Sequence, residues 1–438
     1  MAHIVLFTQW TGGDVYPFLR YGKLLREIGH RVTVLTHCVY EDKAKELGLE
    51  FHAIDTPEEY ENINRDLHML SDPIGNREDF LRFYATYHGK ARLLREVRLI
   101  EQVTSDESIV IARYRSGIAG QLAAEKNHLR YASMILAPNY FSHMELHDQM
   151  FGAEFLKDIN GTREELGLQP VENWKDWLYS PKTILCGWPE WYAQRDETWP
   201  EGATPIGFLE DRKDAETADI PAESLATGDE IGRKHVLITG GSSRMVSSDF
   251  YKTAVEAVAK TDAVGYLVTP YKEYVPQPLP KNIHWITSIP LRKLMRVSDL
   301  IIHHGGMGTI NEAIDSALPQ IIMPHLTDGP DNADRLVKMG VAVKFAPKNW
   351  DAEKIAEASK RVLADETKSV CVAYQKKNQA DYRSNLWARV INRLGFFEMR
   401  ERSAENGATA ETFSAAAGNA KARMLELLKK KRLATQHH

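Results

Sequence analysis

Two adjacent histidines open the stretch with the most chemical content, His303-His304-Gly305-Gly306-Met307-Gly308-Thr309-Ile310-Asn311-Glu312. It lies between an apolar run, Leu300-Ile301-Ile302, and an amphipathic continuation from Ala313 to Leu318, which predicts a strand feeding a glycine-rich turn into a helix. Glycines let a backbone approach a ligand closely, and amides at a helix start carry partial positive charge. A nucleoside diphosphate suits such a turn. A second turn, Gly240-Gly241-Ser242-Ser243, follows the apolar run His235 to Thr239, and near the N-terminus Thr11-Gly12-Gly13-Asp14-Val15-Tyr16-Pro17-Phe18 offers a carboxylate. Asp14 reads either as a base or as a helix N-cap, and the two roles are compatible.

The elements that must hold these turns follow a regular rhythm. Short β-branched runs at 3–8, 31–36 and 50–54 alternate with helical patterns near 18–28 and 42–47, which predicts a parallel sheet wrapped by helices. A helix is expected over 79–102 and strands near 109–112 and 132–136, with irregular regions at 55–78 and 138–181 that shape a ligand site or cover a core. The rhythm restarts with strands at 235–239, 264–268, 283–286, 299–302 and 320–323 and a helix at 250–259. The expected architecture is therefore α/β, with two Rossmann-like doubly wound domains facing across a cleft. Their boundaries are 1–206 for the first domain, 207–232 for a linker and 233–375 for the second. A helix at 376–400 would pack back on the first domain, and 401–438 reads as a tail with a surface helix ending in Lys429-Lys430-Lys431-Arg432.

The chain has 438 residues, 43% hydrophobic and 26% charged, too long for one core, and its formal net charge of -5 argues against nonspecific nucleic-acid binding. Three scattered cysteines, Cys38, Cys186 and Cys371, lack metal spacing and fit a reducing compartment, so a cytoplasmic location is expected. No apolar run is long enough to span a bilayer.

From His303 to Arg335 the order HHGGMGTxxEA, then Pro324, Asp328 and Asn332-Ala333, resembles the donor-binding signature of the GT-B nucleotide-sugar glycosyltransferases. The resemblance implies that His304 meets the donor diphosphate, with Gly306, Gly308 and Thr309 adding donors, Glu312 against the ribose hydroxyls and Asp328 on the hexose. Gly241 and Ser242 would face the donor from the other turn. An imidazole N–H and helix-start amides stabilise a departing diphosphate without a metal, so neither cofactor nor metal is expected. A carboxylate accepting from two vicinal hydroxyls prefers ribose, which tilts the donor toward UDP over dTDP. Away from this context His304 reads as a core histidine and Glu312 as a surface glutamate.

Gly13 to Pro17 resembles the Gly-Asp-Val-x-Pro element of sterol and glycopeptide-antibiotic glycosyltransferases, which implies that Asp14 takes a proton from an acceptor hydroxyl. Gly13, Phe141 and Trp174 are the expected acceptor neighbours. Two departures stand out. The family's Asp-Gln pair reads Asp328-Gly329, which leaves the sugar open, and its base-stacking Trp-x-Pro reads Ser288-Ile289-Pro290, with Ile289 as the expected donor neighbour and Trp285, three residues early, as core. His143 and His147 share a helical face but lack the glutamate of a zinc motif. The expectation is an inverting transferase moving a hexose from a UDP-sugar to a small or lipophilic hydroxylated acceptor. The alternatives are a UDP-sugar epimerase or hydrolase, or a silent sugar-nucleotide-binding partner. The basic C-terminal helix offers a contact to a membrane surface or a partner.

Overall fold

A computed structural model describes residues 2–70, 72–209, 232–241, 244, 246–325, 328–364 and 367–384. The first half runs β1 (His3–Phe7), α1 (Gly12–Glu27), β2 (Arg31–Thr36), α2 (Glu41–Glu46), β3 (Glu50–Ala53), α3 (Pro57–Asp66), α4 (Arg77–Tyr87), α5 (Lys90–Val103), β4 (Ile109–Arg113) and α6 (Ile118–Lys126). It continues with β5 (Arg130–Ile135), α7 (Asn139–Ser142), α8 (Met144–Glu165), α9 (Trp174–Tyr179), β6 (Ile184–Cys186) and β7 (Ala203–Pro205). These strands form one parallel sheet in the order β3-β2-β1-β4-β5-β6-β7. β1 and β4 are buried on both faces, which is why they read as unbroken apolar runs.

The second half comprises β8 (His235–Thr239), α10 (Ser248–Ala259), β9 (Val264–Val268), β10 (Ile283–Ile286), α11 (Leu291–Arg296), β11 (Leu300–His303), α12 (Met307–Asp315) and β12 (Gln320–Ile322). Then come α13 (Gly329–Lys338), β13 (Ala342–Lys344), α14 (Ala352–Ala364) and α15 (Thr367–Ser384). Its sheet is parallel in the order β10-β9-β8-β11-β12-β13. In both sheets the strand order reverses beside the first strand, between β1 and β4 and between β8 and β11. Crevices at the carboxyl ends of such strands are where open α/β sheets take ligands.

Four local expectations change. The first helix begins at Gly12, so Asp14 lies inside it, as does Pro17, whose missing N–H leaves the Gly13 carbonyl without its helical hydrogen bond. The expected 79–102 helix is two helices that break at His88-Gly89; Gly89 has the extended backbone of an N-cap, and a side chain there would strike the Ala85 carbonyl at 2.5 Å. The regions expected to be irregular are largely helical, as α3, α8 and α9. Trp285 is 36% exposed rather than core, its indole N–H held by the Thr269 carbonyl at 2.9 Å.

The halves meet through specific groups. Trp191, beyond β6, donates to Asp381 on α15 at 2.6 Å and packs on Tyr374, while Tyr192 reaches Asn332 on α13. The expected linker lies mostly outside the described residues, as do the tail, its basic helix and the stretch 385–400.

Candidate functional site

β8 and β11 pair so that His303 lies beside Thr239, and the two glycine-rich turns therefore leave the sheet side by side. Gly241 and Gly305 have φ of +78° and +95°, a conformation that favours glycine. The turns close on one imidazole: a Cβ at Gly241 would lie 2.7 Å from His304 Cε1, and one at Gly306 would lie 2.5 Å from His304 Nε2. His304 Nδ1 meets no hydrogen-bond partner of good geometry among the described residues. Burial lowers its pKa to about 4, helped by His325 and opposed by the Thr239 backbone, so the ring is neutral near pH 7. A neutral imidazole still carries one N–H to offer an anion.

His303 is structural. The Gly305 amide donates to its Nδ1 at 3.1 Å, which leaves the proton on Nε2 to donate to Gln320 Oε1 at 3.0 Å. This buried bond fixes the ring under the turn. On the other side Asn332 Nδ2 donates to the Gly305 carbonyl and to Asp328 Oδ2, both at 2.9 Å, while its Oδ1 accepts from Tyr192 at 2.9 Å. α12 then starts at Met307 with Gly306 as N-cap, so the first-turn amides of Met307, Gly308 and Thr309 have no intrahelical partner. A side chain at Gly308 would meet open space, which marks the face a ligand can approach.

Asp14 sits at the other switch point. Its carboxylate accepts from the Thr11 amide at 3.2 Å and the Thr11 hydroxyl at 2.8 Å on Oδ2, and from Arg113 Nε at 3.1 Å and Nη2 at 2.7 Å on Oδ1. Thr11 is the N-cap and Asp14 the third helical residue, which corrects the N-cap expectation. Burial works against the charge of Arg113, but Asp14 and Tyr140 outweigh it and raise its pKa.

Beside this turn lies a cavity of about 110 Å³, lined by Trp10, Thr11, Tyr16, Tyr40, Tyr60 and, from the second half, Tyr271, among others. Trp10 has φ +94°, a strained geometry for a bulky residue. Its amide donates to His37 Nε2 at 2.6 Å, and His37 Nδ1–H donates to buried Asp55 at 2.5 Å. That pair pins the twisted backbone at the end of β1.

Comparison with known proteins places both halves. The family described as "Glycosyltransferase family 28 N-terminal domain" matches residues 4–94, and "Erythromycin biosynthesis protein CIII-like, C-terminal domain" matches 256–383. The glycosyltransferase of kitacinnamycin superposes with a TM-score of 0.71 at 20% identity, covering 90% of this chain and 99% of the other. Glycosyltransferase VinC in complex with dTDP gives 0.64 at 20% identity, covering 89% and 100%. The chain has the GT-B glycosyltransferase fold. This GT-B chain is also 27% identical to a sterol 3-beta-glucosyltransferase of Leptosphaeria maculans, over 78% of its own length but 25% of the relative's. It therefore spans about a quarter of that fungal protein. It is 22% identical to the NDP-glycosyltransferase YjiC of Bacillus licheniformis, over 83% of its own length and 90% of the relative's.

Within the GT-B chain the expected donor residues divide. Gly241, His304, Gly306, Gly308 and Thr309 gather at the second switch point, and Asp328 joins them through Asn332. Ser242 lies outside the described residues. Ile289 packs its side chain against the core beneath α11. Glu312 bonds Arg20 of α1 at 2.8 Å. Two acceptor expectations are corrected: Phe141 and Trp174 are each 2% exposed, because they fill the core under α8 and α9. Gly13 is exposed beside Thr11. Sequence reasoning missed Arg113, Tyr192, Trp10 and the tyrosine wall. Only the position of Trp10 right after the first strand signalled anything, since the others arrive by tertiary folding.

Proposed function

We propose that this chain transfers a hexose from a nucleoside diphosphate sugar to a hydroxyl of a small or lipophilic acceptor, with inversion and without a metal, in the cytoplasm. The observation that carries this is the imidazole of His304 clasped by both glycine-rich turns at the second switch point, beside unbonded helix-start amides. There a diphosphate would accept from the amides and the imidazole N–H, and charge growing on it as the glycosidic bond breaks would be stabilised. The acceptor would approach through the tyrosine-lined cavity, whose rings offer it apolar faces. Its hydroxyl would take the place of the Thr11 hydroxyl on Asp14 Oδ2 and give its proton to that oxygen as it attacks the anomeric carbon. Arg113 would hold the other oxygen and fix the carboxylate's direction. UDP-sugars are the proposed donors.

The test is donor consumption by the purified chain against a panel of phenolic, polyketide and sterol acceptors, with His304→Ala and Asp14→Asn alongside. Each substitution is expected to lower kcat by ~10²-fold or more, in line with lost oxyanion or base catalysis. Unchanged turnover in both folded variants would refute the proposal. The saturation of Asp14 by Arg113 and Thr11 favours one second reading, a protein that binds a sugar nucleotide without transferring it. Tight donor binding with no product from any acceptor would establish that instead.

A further inference from the structure

Arg115 lies just beyond the end of β4, at the same switch point as Asp14, and it is a cation without a counter-ion. It is 9% exposed, and among the described residues no carboxylate forms an ion pair with it. An arginine so buried is almost always paired, because stripping water from a lone charge is costly. Its backbone has a φ of +63°, unusual for a side chain of this size. The loop is pinned in that shape: His88 Nε2 donates to the Arg115 carbonyl at 3.1 Å, and Gln9 Nε2 donates to the Ser116 carbonyl at 2.5 Å. The fold thus holds the guanidinium in place against both strain and lost solvation.

What surrounds that guanidinium is aromatic rather than acidic. Its carbon stands 5.7 Å from the centre of the Tyr140 ring and 5.8 Å from that of Trp174, and the Tyr84 hydroxyl lies against it. The titratable groups that face it, Tyr84, Tyr114, Tyr179, His88 and His147, are all uncharged near pH 7. Ring faces attract a cation but leave its planar fork of N–H groups unused. The buried indole N–H of Trp174 also finds no acceptor among the described residues. Tyr140 is shared with Arg113, whose guanidinium carbon lies 5.1 Å from the same ring and whose charge is answered by Asp14. Two arginines thus flank one ring, and one of them lacks a carboxylate. Trp10, a wall of the cavity beside Asp14, meets Tyr84 edge to face at 5.7 Å, which sets this box directly behind that cavity. Tyr140, His147 and Tyr179 are half-buried, so solvent touches its rim. A carboxylate fits the unused fork with two parallel hydrogen bonds. We infer that Arg115 is the subsite for a carboxylate on the acceptor, so that the acceptor is a hydroxylated acid whose hydroxyl meets Asp14 while its acid end docks on Arg115.

This inference rests on the acceptor reading above and names its substrate class. The probes are 4-hydroxybenzoate and 4-hydroxycinnamate, each set against its own amide, which has nearly the same shape and no charge. Calorimetric titration of the full chain should show at least one acid binding about tenfold or more tighter than its amide, the scale of one hydrogen bond to a charged group. Arg115→Met should bring that pair within about twofold by weakening the acid. Arg115→Lys keeps the charge but not the fork, and should keep a smaller preference for the acid. Stability gives a second readout: removing a lone buried charge should leave the urea midpoint of Arg115→Met unchanged or higher, whereas loss of a core strut would lower it. Equal binding of acid and amide by the wild-type chain, binding of no probe, an acid preference that Arg115→Met does not move, or a lowered midpoint would each overturn the inference. Titration of the same sample with UDP reads the donor site separately, so those results leave it standing. An acid held by Arg115 yet never glycosylated with donor present would overturn the acceptor reading and, with it, the assignment of this subsite to the acceptor.

Discussion

Asp14 shows how much one side chain can carry. Its two oxygens accept four hydrogen bonds, two from Thr11 and two from Arg113, and the arginine is 4% exposed. Asp14→Asn therefore has two separable effects. Removing the charge leaves a buried guanidinium uncompensated, which costs about 3–5 kcal/mol and should appear as a lower urea midpoint. Nucleotide affinity should stay within about twofold of wild type, because no described contact links Asp14 to the His304 cluster. A large loss of nucleotide binding in a variant that still folds would contradict that separation. The carboxylate and the histidine were singled out in the sequence by the resemblance of their surrounding motifs to a known family, since local pattern alone left Asp14 between a base and an N-cap and His304 as a core histidine. Arg113 was not, since it comes from the end of β4 and meets Asp14 only once β1 and β4 pair.

At the level of elements, the glycines of the turns are not equivalent. Gly241 and Gly306 are packed against His304, and Gly241 also has a positive φ. Alanine at either position forces the ring or the backbone to move, at a cost of about 1–3 kcal/mol. Gly308 faces open space, so Gly308→Ala should leave the melting temperature within about 1 °C while weakening nucleotide binding, whereas Gly306→Ala should lower both. Equal melting temperatures for the two variants would refute the clasp around His304. The sequence showed three glycines in a row of ten residues but not which were steric and which faced a ligand. That distinction depends on what folds against them. The same limit explains Phe141 and Trp174: aromatics in a region of weak periodicity look like a ligand wall until helices α8 and α9 bury them.

Across the whole molecule, titration follows burial. His88 and His304 are pushed down to about 4, and His147 and His303 to about 3, in each case mainly by desolvation. These groups stay neutral in the folded chain but bind protons near pH 6.5 once unfolded, so the stability they contribute is full above that pH and is lost as pH falls toward 4. Glu96, raised to about 7 by burial in spite of Arg92, works in the opposite direction, because its folded form takes up a proton first. Four histidines against one glutamate give a net loss. The urea midpoint should fall between pH 7 and pH 4.5, and His303→Gln, which removes one of the four, should flatten that slope. A midpoint independent of pH over this range would show that the histidines are solvated. The two parallel sheets were readable from hydrophobic rhythm because strands buried on both faces leave a plain trace, whereas their strand order and the three-residue strands β6, β7 and β13 were not. That a C-terminal helix returns to the first half was expected over 376–400, but its partner Trp191, and the reach of α1 to Glu312, were not legible, as such pairings leave no periodic mark.

Gly329 carries a different kind of consequence, one for how this catalyst can be redesigned. A Cβ there would stand 2.9 Å from the His304 carbonyl oxygen, and Gly305 has the Gly329 backbone within 3.1 Å of its own missing side chain. The glycine in place of the family's glutamine is thus part of the joint between two backbones. A Gly329→Gln change would therefore press on the turn that carries His304 unless α13 moved with it, so a side chain can be added at this position only together with a shift of that helix.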